Sequence, residues 1–198
     1  WDVVERQRAV GFNEHNGPVR AVAWARDGQR FASAGEDRSV MVWNAASGRR
    51  EMLVSGHPTR IVGVAFAPDG HTLASVDRDG MVIVWDLLQR QERLRFKHPK
   101  GGEYKGSYCL VFSPDGRVLA TSHGAYDSGT GRQLADFHAG GAGLTSSAIY
   151  GLAFSPDDAR LAVANAYGYS SVLDTATWRM IEKADLNPRQ FICVSFAP

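Results

Sequence analysis

Two cysteines in 198 residues, Cys109 and Cys193, are too few for a disulfide framework, and no C-x-x-C pair suggests a redox or zinc motif. A reducing, cytoplasmic setting is the expectation. Net charge is nearly absent too: 22 Lys and Arg stand against 21 Asp and Glu, leaving +1, so no global field argues for nucleic acid or a membrane surface as partner. Eighteen of the basic residues are Arg and only four are Lys, without a clustered basic run, which weighs further against a nucleic-acid binder. No apolar stretch approaches the ~20 residues that a membrane helix needs. The first residues, Trp1-Asp2, lack both an initiator Met and the charged-then-apolar layout of a secretory signal, so they say little about the intact protein. Sustained helical periodicity is also missing, which leaves an all-β chain as the expected class.

What the sequence has in abundance is itself, repeated. Val22-Ala23-Trp24-Ala25-Arg26-Asp27-Gly28 returns as Val64-Ala65-Phe66-Ala67-Pro68-Asp69-Gly70 and as Leu110-Val111-Phe112-Ser113-Pro114-Asp115-Gly116. It returns again as Leu152-Ala153-Phe154-Ser155-Pro156-Asp157-Asp158 and as Val194-Ser195-Phe196-Ala197-Pro198. The aromatic anchors at 24, 66, 112, 154 and 196 are spaced by 42, 46, 42 and 42 residues, and Trp1, Trp43 and Trp85 form a second ladder 42 apart. A fixed period of this size marks a repeat architecture.

Within the first full period, four short runs near 19–25, 30–35, 39–44 and 50–54 alternate with turn chemistry. The Pro-Asp-Gly triplets suit a tight turn, because Pro presets φ, Asp accepts local backbone bonds and Gly tolerates positive φ. Ser47-Gly48, Ser128-Gly129-Thr130-Gly131 and Asp174-Thr175-Ala176-Thr177 mark the later turn of each unit. Two glycine-rich stretches, 101–107 and 140–143, lack the strand-loop-helix context of a phosphate or dinucleotide site and read as surface loops, so no cofactor is expected.

These residues resemble the WD-repeat family of β-propellers. The resemblance rests on His15 and His57 ahead of the first strand, the aromatic after Val-Ala, the Pro-Asp-Gly turn, Phe31-Ala32-Ser33 and Leu73-Ala74-Ser75, and the closing Trp-Asp or Trp-Asn. It implies four-stranded antiparallel blades around a channel. Four complete blades are expected at about 19–55, 61–97, 107–138 and 148–183, with edge strands at 3–10 and 191–196. On that count the chain is an open arc of a larger propeller of about seven blades.

The resemblance also implies a hydrogen-bond chain of His, Ser, Asp and Trp inside a blade, expected here as His15, Ser33, Asp37, Trp43 and as His57, Ser75, Asp79, Trp85. A Ser/His/Asp set can also be catalytic, but one that recurs in each repeat with a Trp donor reads as a buried network that holds blade shape. His98 and His138 occupy the related position in the next two units. Lying in successive blades, the four histidines are not expected to share a metal. Cys109 and Cys193 stand where other repeats carry Ala or Gly, and read as tight packing two blades apart. The third unit is five residues shorter between Leu119 and Tyr126 than the first between Phe31 and Trp43, which is assigned to the turn, and it ends on Tyr126-Asp127. The fourth has Val163, Tyr167 and Leu173 where Ser, Asp and Trp are expected. Both degenerate blades are expected to hold by apolar packing alone.

Loop ends on a rigid scaffold are where recognition residues gather. By the resemblance, the docking end would carry Arg20, Glu36, Arg60, Arg78, Tyr104, Tyr108, Tyr150, Tyr167 and Arg189. Arg and Tyr are enriched in interface cores. The expected function is a non-catalytic scaffold for an acidic or phosphorylated protein or peptide, within a larger signalling or assembly protein. The alternative is an enzymatic propeller of lactonase-like or peptidase-associated type.

Overall fold

The structure, a computed structural model, describes residues 12–98, 109–137, 144, 148–165, 169–185 and 194–196. Sixteen strands appear among them and no helix. The first sheet comprises β1 (Val19–Trp24), β2 (Arg30–Gly35), β3 (Ser39–Asn44) and β4 (Arg50–Ser55). The second comprises β5 (Ile61–Phe66), β6 (Thr72–Asp77), β7 (Met81–Asp86) and β8 (Gln91–Lys97). The third is built from β9 (Leu110–Phe112), β10 (Val118–Thr121), β11 (Gly124–Asp127) and β12 (Gln133–Asp136). β13 (Ile149–Phe154), β14 (Arg160–Asn165), β15 (Tyr169–Asp174) and β16 (Met180–Asp185) make the fourth. Each sheet is an antiparallel meander in sequence order, and the first strands lie side by side from β1 to β5 to β9 to β13. These are the blades of a β-propeller, with the first strands along its axis.

The repeated turn explains why β1 folds back on β2. Gly28, Gly70 and Gly116 adopt φ of 68°, 69° and 77°, a region costly for residues with a Cβ. The Asp before each takes backbone N–H groups on its carboxylate: Asp27 from Gln29 at 2.8 Å and Asp69 from His71 and Thr72 at 2.8 Å each. The fourth repeat sets Asp158 in the glycine position at φ 62°.

The core lies between the blades. Val40 and Val42 of β3 pack with Ile61, Leu73, Ile83 and Trp85 of the second blade. The opposite face of that blade, with Val76, Val82 and Val84, meets Phe112 and Leu119 of the third. Ala120, Ala125 and Phe137 then meet Ile149, Phe154, Leu161 and Leu173 of the fourth. Both faces of the middle strands are thus apolar, which is why β6 is buried at every position. Burial at ~25 cal/mol per Å2 makes these interblade layers the main stabilising term. Trp43 points away from the second blade and is 1% exposed, covered by Phe31 and by Phe12, whose ring meets Phe31 edge-on at 4.7 Å.

The third blade corrects two expectations. Its missing residues do not come from the turn alone: β10 and β11 have four residues each where β2 and β3 have six, and the turn is two residues instead of three. Shortening both partners together keeps Leu119 opposite Tyr126, the register that Phe31 and Trp43 hold in the first blade. A one-sided loss would have flipped the buried face. Nor does this blade hold by apolar packing alone. His98 Nδ1 lies 2.7 Å from the Tyr126 hydroxyl, and the His98 ring stacks on His123 at 4.5 Å, all three side chains buried. Tyr126 has the Trp position and carries its polar end to the same His.

Cys109 packs among the third and fourth blades, with Sγ 3.7 Å from the Ile149 carbonyl, and burial pushes its thiol up to about 12. Cys193, His138 and the expected edge strand 3–10 lie outside the described residues. Of the expected strand 191–196, residues 194–196 are described and carry no strand assignment.

Candidate partner-docking face

Two sets of polar residues meet at the end of the propeller where β1 and β5 begin. One is internal. Trp43 Nε1 donates to Ser33 Oγ at 2.8 Å, Ser33 Oγ is 2.7 Å from His15 Nε2, and His15 Nδ1 is 2.8 Å from Asp37 Oδ2. The indole can only donate and the carboxylate can only accept. Nδ1 of His15 therefore bears a proton and gives it to Asp37, while Nε2 faces the Ser33 hydroxyl. Asp37 also accepts the Asn16 N–H at 3.0 Å and the Ser39 hydroxyl at 2.8 Å. Burial works against the charge on Asp37, but the bonds from Ser39 and His15 outweigh it and hold its carboxyl below the usual range.

The second blade departs from the expected set. Trp85 donates to Ser75 at 2.8 Å and Ser75 lies 2.7 Å from His57, as in the first blade. The carboxylate facing His57 is that of Asp77, 3.5 Å from Nδ1, and not that of Asp79, which is exposed. Asp37 and Asp79 are equivalent by the 42-residue period, so spacing selects the wrong carboxylate. The position equivalent to Asp77 in the first blade is Gly35, where an added Cβ would stand 2.4 Å from the Pro18 carbonyl. With no side chain tolerated there, the first blade draws its carboxylate from two residues later. Asp77 accepts the N–H groups of Asp79 and Met81 at 3.0 and 2.9 Å. Its burial opposes ionisation, yet His57 and the Met81 N–H prevail and keep the carboxyl below its ordinary value.

The connectivity Ser-His-Asp matches that of a hydrolase triad. Accessibility does not: Ser33 is 5% and Ser75 0% exposed, and each hydroxyl oxygen is held by an indole N–H. A nucleophile must reach a carbonyl carbon, which these positions cannot.

The second set faces solvent. β1 carries a bulge between Val19 and Ala21, and β5 and β13 carry the same irregularity between Ile61 and Gly63 and between Ile149 and Gly151. A bulge re-aims the extra side chain. In the first blade that residue is Arg20, whose Nε donates to Glu36 Oε1 at 3.0 Å and whose Nη2 meets the same oxygen. Arg60, from the next blade, brings Nη1 to 3.8 Å of that oxygen. The Arg20 bond holds the Glu36 carboxyl below its usual range. Arg78 is exposed, with its backbone N–H on the Arg60 carbonyl at 3.0 Å, in the place that Glu36 holds in the first blade. The structure thus brings two cations from two blades, Arg20 and Arg60, to the one carboxylate of Glu36, with the Arg78 backbone bonded to Arg60. Tyr150 is the bulge residue of β13 and half-buried. Tyr104, Tyr108, Tyr167 and Arg189 lie outside the described residues. The bulge that links Arg20 with Tyr150 is a register feature that spacing alone does not reveal. Among the described residues no cluster of metal-ligating side chains occurs, and no helix is long and apolar enough to cross a membrane.

Four-stranded meanders side by side, with an internal Trp-Ser-His chain and loop-borne charges at one end, define a β-propeller. The family described as "WD domain, G-beta repeat" matches residues 6–44 and 48–86, so the first two repeats are similar to that family. The chain is similar to WD repeat-containing protein 1 of Rattus norvegicus, 26% identical over 185 residues that cover 88% of this chain and 29% of that protein. WD repeat-containing protein 1 of Gallus gallus is 25% identical over 172 residues, covering 81% of this chain and 27% of its own length. The chain therefore spans less than a third of the curated relatives it matches.

Proposed function

We propose that this chain is a non-catalytic interaction scaffold that docks an acidic or phosphorylated peptide segment of a protein partner on the face formed by Arg20, Arg60 and Arg78. WD-repeat propellers serve in general as surfaces for protein partners. The observation that carries the reading to this face is the cluster itself. One carboxylate, Glu36, is shared by Arg20 and Arg60, whose side chains remain 49% and 42% exposed. Their donor capacity exceeds what Glu36 accepts, and a guanidinium fork suits carboxylate and phosphate oxygens. Glu36 fixes the two arginines before a partner arrives, which lowers the ordering cost of binding. The partner-facing role extends to Tyr150 of the same end and to the expected Tyr104, Tyr108, Tyr167 and Arg189. The placement of the wider polypeptide in a signalling or assembly protein belongs to the same proposal, as does a cytoplasmic location.

The test is binding of fluorescent acidic, phosphorylated and basic peptides, followed by anisotropy. Acidic or phosphorylated peptides are expected to bind, with affinity falling at higher salt and at least tenfold on combining Arg20→Glu with Arg60→Glu. Equal binding by the double variant, or preference for basic peptides, overturns the reading.

A further inference from the structure

At the opposite end of the channel, each repeat contributes its anchor aromatic to one cavity. Trp24, Phe66, Phe112, Phe154 and Phe196 all border a space of about 510 Å3. Pockets of roughly 300–1,000 Å3 with mostly apolar walls and a few placed polar groups are the usual form of a ligand site. Pro68, Pro114 and Pro156, from three successive turns, border the same space, so its mouth lies on the outer end face. The cavity is separate from the arginine face, because Arg20 and Trp24 lie at opposite ends of β1, roughly 13 Å apart by strand rise.

Two features of the wall point to a ligand. Trp24 is 60% exposed although it borders an aromatic ring of residues, an apolar surface that a ligand could cover. Arg26 is the charged residue bordering the cavity, and among the described residues no hydrogen bond or ion pair engages it. The nearest carboxylate in sequence, Asp27, is committed elsewhere: it accepts the Gln29 N–H at 2.8 Å and pairs with Arg30 at 3.6 Å. An apolar space beside an uncommitted guanidinium selects a molecule with an apolar body and an anionic end. A mouth on the end face leaves room for a chain to run outward across the turns.

We propose that this cavity binds the carboxyl terminus of a peptide ending in an apolar residue, its side chain against the aromatic anchors and its carboxylate on Arg26. The arginine draws the terminus by charge and fixes it with a two-pronged bond, while the aromatic ring supplies contact area. A cationic ligand would meet Arg26 repulsion, and a neutral one would leave the guanidinium unused.

Isothermal titration of the full chain with acetyl-Gly-Leu-Phe, as the free acid and as the amide, tests this directly. The acid is expected to saturate, with the amide at least tenfold weaker. Arg26→Ala should weaken the acid at least tenfold and leave the amide unchanged. Arg26→Lys should recover most of the loss, and since residue 26 is exposed in a turn, both variants should keep the wild-type Tm. Phenylacetate should bind more weakly than the peptide acid. Arg20→Glu with Arg60→Glu should leave this binding intact even if it abolishes capture of acidic peptides at the other end. Equal affinities for acid and amide, no saturation, an unaffected Arg26→Ala, or phenylacetate binding as tightly as the peptide each overturn the proposal.

Discussion

The carboxylate of Asp77 stands 3.5 Å from Nδ1 of His57, with both side chains wholly out of solvent. It joins the end of β6 to the segment between β4 and β5, and so ties the axial strand of the second blade to its neighbour. The equivalent link in the first blade runs from Asp37 to His15 at 2.8 Å and comes from the turn after β2. Two blades reach one arrangement from carboxylates two residues apart.

The consequence for mutation is a contrast between neighbours. Asp77→Asn should cost about 1–3 kcal/mol, because it weakens the His57 contact inside a buried network. Asp79→Asn should change stability by less than about 0.5 kcal/mol, as for other exposed positions. Urea melts of the two variants decide the matter, and equal midpoints would remove Asp77 from the network.

Acid should reveal the same carboxylates. Asp37 and Asp77 are held below the ordinary aspartate value in the folded chain, so the folded state binds fewer protons than the unfolded state in that range. The stability they contribute is fully present above about pH 4 to 5 and is lost as pH falls through their lowered values. Tm measured from pH 6 down to pH 2.5 should therefore fall steeply, and Asp77→Asn should make that fall shallower. An unchanged slope in the variant would assign the acid limb to other groups.

The fourth repeat offers a stabilising change. Asp158 holds φ at 62° where three other repeats carry Gly. Burial raises its carboxyl pKa, and the charges of Asp115 and Asp157 add to the rise while the Asp115 N–H opposes it. Asp158→Gly relieves both the backbone strain and the repulsion, giving up only a 3.3 Å bond from the Asp115 N–H. A gain of about 0.5–1 kcal/mol is expected, less whatever that bond contributes. A lower Tm for the glycine variant would show that the carboxylate matters more than the turn.

Local chemistry alone made much of this protein legible. The 42-residue period, the Pro-Asp-Gly turns and the alternation of short runs determine four-stranded antiparallel units, because each depends on neighbours within a few residues. The members Trp43, Ser33 and His15 were readable for the same reason, since the repeat itself carries their spacing. What only tertiary structure decided lies where one segment's backbone meets another's side chain. Pro18 fills the space over Gly35 and moves the carboxylate to Asp37, while the second blade uses Asp77. Paired shortening of β10 and β11 keeps Tyr126 in register and lets it bond to His98, a contact between residues 28 apart in sequence. A bulge sets Arg20 beside Glu36, and the next blade brings Arg60 to the same oxygen. Periodicity specifies which residues are equivalent along the chain. The space left by the neighbouring strand or blade decides which of them can fit.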